Sequence, residues 1–488
     1  MIAFLSRADP AGIPERGRNG IPERSRNGKG FKRRGRTPAH MGLFDRLRGD
    51  DEDRVVFLGI DGVPYDLVQE HPEVFENLTD IAEAGTGGRL ESIVPPESSA
   101  CWPSLTTGVN PGATGVYGFQ DREVGSDETY VPMGKHVRAT RVWDRVTDAG
   151  RDATVMNVPV TFPPSSRVQR MVSGFLSPSL DAAASDDDLQ ETLSGFDYRI
   201  DVNAKLGHKE DKAEFVENAN ATLDARHETF THYLDEDDWD LFFGVYMSTD
   251  RVNHFLFGDY VNDGPHADDF LAFYDKLDDY IGEIRDSLDE DTELVVASDH
   301  GFTELHHEVN CNEWLAEEGW LSYEDDDHDS LADVSEESRA YSLIPGRFYV
   351  NLEDREANGS VPESEYEAVR DELIADLEGL TGPDGRQVCK RIVKGEAVFD
   401  GAGDDIAPDV VVVPADGFDL KSAFSEKEAV FTAGPRNGMH KFENAVLYST
   451  ADLDPAGANL YDLTPTILDL LDVDAADADF DGESLLAD

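Results

Sequence analysis

Six short apolar runs recur along this chain, and most stop at a residue able to bind a metal or cap a helix. The first, Val55-Val-Phe-Leu-Gly-Ile60, ends in Asp61-Gly62. Val155–Val160, Leu241–Met247, Leu294–Ser298, Val410–Val413 and Ala445–Tyr448 follow. A continuous apolar run of this length reads as a strand buried on both faces of a parallel sheet. Between the runs lie helical patterns. In Asp269–Leu288 the residues Phe270, Phe273, Leu277, Tyr280, Ile281, Ile284 and Leu288 recur at helical spacing, and Thr466–Leu471 reads as a short apolar helix. Strands alternating with helices predict an α/β fold, a mostly parallel central sheet with helices on both faces. The core is expected over 53–305 and 400–488. The less regular 306–399 stretch is expected to be an inserted cap.

Charge sets the environment. The 488 residues carry 102 Asp+Glu against 42 Lys+Arg, a formal net charge of -60. A disordered acidic chain would lack large apolar residues, whereas this one has 25 Phe, 15 Tyr and 5 Trp. The acid excess therefore reads as a solvated surface suited to concentrated salt, where the Debye length falls to about 3 Å at 1 M and carboxylate repulsion is screened. It argues against nucleic-acid duplexes as partners, because phosphate recognition needs a basic face. No apolar stretch approaches the ~18 residues of a membrane span, so no membrane insertion is expected. Three well-separated cysteines do not suggest a disulfide framework. Arg33-Arg34 lacks the apolar stretch of an export signal. The expectation is a soluble cytoplasmic protein of a halophile.

Residues 1–40 differ from the rest, with 10 Lys+Arg against 3 Asp+Glu, which leaves 32 against 99 downstream. They contain a direct repeat, Ile13-Pro-Glu-Arg-Gly-Arg-Asn-Gly20 and Ile21-Pro-Glu-Arg-Ser-Arg-Asn-Gly28. Such a tract has no apolar face to bury and is expected to be a disordered basic extension. Met41 reads as the natural start.

In open α/β sheets, ligands bind at the carboxyl ends of the strands. Metal-capable residues gather there. Asp61 ends the first strand, Asp250 and His254 follow the 241–247 run, Asp299-His300 ends the 294–298 run, and His440 precedes the 445–448 run. Three Asp and three His suit two mixed N/O sites for zinc or manganese. Paired metals clamp the attacking and leaving oxygens of phosphoryl transfer. A nucleophile is supplied by Pro95-Pro-Glu-Ser98-Ser99-Ala-Cys101-Trp-Pro-Ser104, a hydroxyl-rich turn ahead of Thr107-Gly108. A serine there needs a base or a metal to become reactive. Individually, each residue also fits an ordinary role: a strand-end Asp caps a helix, and a buried His is hydrogen-bonded core.

From Phe57-Leu-Gly-Ile-Asp61-Gly through Pro95–Gly118, Met156–Pro164, Asp250–His254, Ser298-Asp-His-Gly301, Val309–Leu315, Tyr349–Leu352, Ala407–Val410 and Gly438-Met-His440, the chain resembles the type I phosphodiesterase/nucleotide pyrophosphatase family of the alkaline phosphatase superfamily. The resemblance implies an alkaline-phosphatase-like core and hydrolysis of phosphodiester or phosphoanhydride bonds in a small phosphorylated substrate. It implies one divalent ion on Asp250, His254 and His440, and another on Asp61, Asp299 and His300. Ser98 would be the nucleophile and touch both, giving a phospho-serine intermediate. Ser99 is expected to cap the helix that follows. Ala100, Thr114 and Phe119 depart from the family pattern, the last where nucleotide pyrophosphatases place a phosphate-contacting Asn. A phosphotransferase or phosphomutase using the same site stays open. A sulfatase is disfavoured, because Cys101 is out of register and Trp102 stands where that motif needs Arg. His306 and His307 read as loop histidines, and Lys441 stays open as a phosphate contact. Leaving group, preferred metal and oligomeric state are not legible.

Overall fold

Alternation along the first strand, β1 (Arg54–Ile60), feeds two hydrophobic layers: Val56, Leu58 and Ile60 enter one buried cluster, Val55 and Phe57 another. This computed structural model describes residues 53–427, 429–476 and 478–487, so the basic repeat, the 1–40 extension and Met41 lie outside the described residues.

The central sheet has seven strands. After β1 come β2 (Thr86–Leu90), β3 (Ala153–Val158), β4 (Arg170–Ser173), β5 (Leu241–Tyr246), β6 (Thr292–Ala297) and β7 (Ala445–Ser449). Their order is β2-β7-β6-β1-β5-β3-β4. Every pair from β6 to β4 is parallel, and β7 runs antiparallel to both of its neighbours. The middle strands are buried on both faces, the reason their sequences are apolar without alternation.

Helices cover both faces. On the Phe57 side lie α1 (Ser98–Leu105), α2 (Val142–Asp148) and, from the C-terminal region, Leu463–Leu470. On the Val56 side lie α3 (Ala213–Glu236), α4 (Ser248–Val261) and α5 (Ala267–Ser287). The α5 apolar stripe is the one read from sequence, with Phe270, Phe273, Leu277, Ile281 and Ile284 all buried. No described helix is long and apolar enough to cross a membrane.

The Val410–Val413 run departs from expectation. Val410–Pro414 pairs antiparallel with Arg347–Val350 and Cys389–Lys394 in a separate four-stranded sheet. A short apolar run is equally suited to either sheet, so periodicity alone could not place it. A further three-stranded sheet joins His307–Asn310, Phe418–Lys421 and Phe431–Thr432. A hydrophobic cluster of their own, from Val309 to Val430, sits under these strands. The strands between 306 and 399 thus share sheets with residues up to 432.

Candidate metal centre

The ends of β1, β5 and β6 lie side by side, and their sequels project into one buried place. Asp61 leaves β1, and Gly62 turns the chain at φ 69°, where an added Cβ would stand 2.9 Å from the Phe302 ring. Asp250 and His254 come from the first turns of α4, one helical turn apart on the same face. Asp299 and His300 follow β6 after a single residue, Ser298. His440 arrives on the strand Gly438–Lys441, which pairs antiparallel with Gly301–Glu304 and sets His440 opposite Phe302. Ser98 is the first residue of α1.

The structure brings the six sequence-predicted ligands together. His254 Nε2 lies 3.3 Å from Asp250 Oδ1. His440 Nε2 lies 3.2 Å from that oxygen and 3.1 Å from His254 Nε2. His300 Nε2 lies 3.7 Å from Asp61 Oδ1 and 3.5 Å from Asp299 Oδ2. The two groups adjoin, since the His300 and His440 rings stack at 3.9 Å, and His300 also falls within reach of the Asp250–His440 donors. Ser98 Oγ stands 3.1 Å from His300 Nε2 and 3.4 Å from Asp61 Oδ1.

The outward atoms of these side chains are already engaged. The Nδ1 atoms of His254, His300 and His440 lie 3.1, 3.0 and 3.1 Å from the carbonyls of Gly438, Gly301 and Pro96. An imidazole donating Nδ1–H to a carbonyl, as open to His300 and His440, directs its Nε2 lone pair inward, the arrangement of a metal ligand, whereas His254 Nδ1 also faces Arg436 Nη2 at 2.8 Å. Asp61 Oδ2 accepts from Trp102 Nε1 at 2.7 Å, and Asp299 Oδ1 accepts from the Gly62 amide at 3.1 Å. Asp299 Oδ2 is buried with no hydrogen-bond partner.

The electrostatics point the same way. Burial, with Asp299 and Asp250 nearby, holds the Asp61 carboxyl well above its usual range. Burial pushes Asp299 up to about 7, against the lowering effect of His440. His254 and His300 are held well below the usual imidazole value, chiefly by burial. Asp250, facing His254, His440 and Arg251, is instead held well below its usual range, and Glu97 and Asp250 raise His440 against its burial. Among the described residues, Asp61 and Asp299 have no such cationic partner at hydrogen-bond distance, and divalent ions would relieve their crowding. The donor set, the inward Nε2 atoms and the orphaned Asp299 oxygen all fit two metal ions.

Other sequence candidates fall elsewhere. His306 pairs with Glu304 and contacts Arg386, and His307 packs on Phe418. Lys441 is bound to Asp416 at 2.8 Å. Phe119 packs edge-on against Phe175. Cys101 is buried, bonds to Ser92, and its thiol is pushed well above the ordinary range by burial. Ser99 corrects an expectation: the N-cap of α1 is Glu97 without a side-chain cap bond, and Ser99 Oγ is buried without a partner.

Sequence reading missed four neighbours. Trp102 holds Asp61, Arg251 bonds Asp250, and Arg436 Nη2 lies 2.8 Å from His254 Nδ1 while Arg436 Nη1 pairs with Asp419 at 3.0 Å. Glu97, next to Ser98, is a buried carboxylate whose Oε1 lacks a hydrogen-bond partner and lies 3.9 Å from His440 Nδ1.

Comparison with known proteins bears on the same residues. The sequence model of the family described as type I phosphodiesterase / nucleotide pyrophosphatase matches residues 55–442, a span containing every residue of the centre. No protein of curated function matches the chain in sequence. Among solved structures, phosphonoacetate hydrolase from Sinorhizobium meliloti 1021, in complex with phosphonoformate, is similar with TM-score 0.56 at 17% identity, covering 87% of this chain and 96% of that one. Murine ectonucleotide pyrophosphatase / phosphodiesterase 5 is similar with TM-score 0.51 at 13% identity, covering 88% and 97%. An inactive form of the murine protein in complex with AMP gives TM-score 0.52 at 14% identity, covering 88% and 98%. At these identities the likeness is one of fold, that of alkaline-phosphatase-like proteins.

Proposed function

This chain belongs to the type I phosphodiesterase / nucleotide pyrophosphatase family, a hydrolase family acting on phosphate esters, and on that premise we propose a two-metal phosphohydrolase with Ser98 as its nucleophile. Asp250, His254 and His440 would hold one ion, Asp61, Asp299 and His300 the other, with Ser98 Oγ beside Asp61 and His300. Zinc suits the N/O donor set, with manganese as the alternative. Bound there, the ions supply Lewis acidity that favours the Ser98 alkoxide and neutralises charge on the phosphoryl oxygens.

Ser98 Oγ attacks phosphorus, the bond to the leaving oxygen breaks, and the phosphoryl group stays on Ser98 as an ester. Water then attacks the same phosphorus, and Ser98 Oγ departs. The rigid start of α1 and the sheet edge hold the oxygen in place, so positioning and charge stabilisation supply most of the acceleration. The observation that carries this reading is Ser98 Oγ, 3.1 Å from His300 Nε2 and 3.4 Å from Asp61 Oδ1, where six donor side chains converge.

The substrate is read as a small molecule with a phosphodiester or phosphoanhydride bond. One structural relative supports that class: the murine protein is described as a nucleotide pyrophosphatase / phosphodiesterase, and its inactive form as in complex with AMP. We read the layer of small sheets from 306 onward as the cap that selects it. The acid excess and three unpaired cysteines support a cytoplasmic protein of a salt-loving cell. The test is a panel in molar salt with zinc or manganese: bis-p-nitrophenyl phosphate, p-nitrophenyl phosphate, nucleotide sugars and a sulfate ester. Metal-dependent cleavage of the diester or the nucleotide sugars is expected. Turnover of the sulfate ester alone would overturn the reading.

A further inference from the structure

Each of the three carboxylates at the centre has one oxygen held from outside. For Asp61 the holder is the Trp102 indole, and for Asp299 it is the Gly62 amide, both neutral donors. For Asp250 it is a full charge: Arg251 Nη1 donates to Asp250 Oδ2 at 2.8 Å, leaving Oδ1 toward His254 and His440. Consecutive residues on a helix do not face one another, so this contact depends on what directs the Arg251 side chain.

Asp201 directs it. Arg251 Nε donates to Asp201 Oδ2 at 2.9 Å, and Nη2 lies 2.9 Å from the same oxygen. The Phe175 ring covers the guanidinium at 4.6 Å. Asp201 itself stands outside any helix or strand, on a segment tied to α3: Arg226 Nη2 donates to the carbonyls of Arg199 and Ile200 at 2.6 and 3.0 Å. The Asp250, Arg251 and Asp201 side chains are 2%, 13% and 17% exposed, so water competes little for these bonds. Two guanidinium N–H groups donate to the two aspartates and the third nitrogen lies beside Asp201, which favours holding a ligand over contacting substrate.

We infer that Arg251, aimed by Asp201, is a positioning residue that sets metal affinity at the Asp250–His254–His440 site by fixing which Asp250 oxygen faces the ion. The inference rests on the two-metal reading above. Partners that orient a metal ligand from behind commonly change affinity about 10–100-fold when removed.

The experiment titrates chelator-stripped full-length protein with zinc against a chromophoric competitor, and repeats it with cobalt(II) to follow the visible spectrum. Wild type is expected to take two ions. Arg251→Ala should keep one at wild-type affinity and bind the other about 10–100-fold more weakly, with one cobalt signature altered. Arg251→Lys should fall between, because an ammonium lacks the fork that grips both aspartates. Asp201→Asn, which preserves shape and an acceptor, should weaken the same ion less and serves if Arg251→Ala does not fold. Turnover at saturating zinc should return to within a few-fold of wild type. Unchanged affinity for both ions in Arg251→Ala and Asp201→Asn overturns the inference, and a turnover loss that zinc does not restore would then make Arg251 a substrate contact. A wild-type chain that takes no zinc overturns the two-metal reading along with it.

Discussion

Trp102 donates its indole N–H to Asp61 Oδ2 at 2.7 Å, with both side chains buried. Trp102 sits in the second turn of α1, so the helix that begins with Ser98 also fixes the carboxylate beside Ser98. Ser98 and Asp61, the proposed nucleophile and proposed ligand, are thus tied through one helix.

Trp102→Phe keeps most of the apolar packing and removes only that donor. A buried acceptor left unpaired costs about 1–3 kcal/mol. The expected outcome is a lower thermal midpoint and about tenfold weaker binding of the ion on Asp61, Asp299 and His300, read by chelator competition. Unchanged binding would mean that Asp61 needs no orientation.

Ser99→Ala tests the corrected role of this serine. Its Oγ is buried with no partner, so the hydroxyl carries a desolvation cost with no bond in return. Stability should stay level or rise by up to about 1 kcal/mol in denaturant unfolding, where loss of a side-chain cap would have lowered it by about that much.

Stability of the metal-free protein should depend on pH in a specific direction. Burial raises Asp299 to about 7 from an ordinary 3.8, so between these values the folded state holds a proton that the unfolded state has lost. The stability from this group is full below the ordinary value and is lost as pH rises toward about 7. In chelator, the midpoint should therefore fall across this interval more steeply for wild type than for Asp299→Asn, and zinc should remove the difference. Equal slopes with and without zinc would contradict it.

Salt should stabilise the chain. The thermal midpoint is expected to rise between ~0.1 M and ~2 M KCl, as the Debye length falls from ~10 Å to below 3 Å and carboxylate repulsion is screened. A flat midpoint across that range would contradict the salt-adapted reading of the surface.

Much of this was legible in sequence, for local reasons. A strand buried on both faces is a continuous apolar run, and the residue at its carboxyl end lies at the sheet edge where ligands bind, so Asp61, Asp250, Asp299 and His300 could be placed from β1, β5 and β6 alone. His440 was legible from its place just before the 445–448 run, although it rides on a short strand outside the central sheet. The groups behind these side chains stayed hidden, since their contacts span 41 residues for Trp102–Asp61 and 50 for Arg251–Asp201. Ser99 was misread because a serine in a first helical turn caps only if its oxygen turns back to the backbone, a rotamer choice that composition does not encode.

The most direct test of the central claim is mass spectrometry of enzyme quenched in acid after mixing with bis-p-nitrophenyl phosphate, alongside metal content and turnover of Ser98→Ala. The account predicts the phosphoryl adduct on Ser98, and a Ser98→Ala protein that retains both ions yet loses most of its turnover. An adduct on Ser99, or a Ser98→Ala enzyme with near-normal turnover, would contradict it.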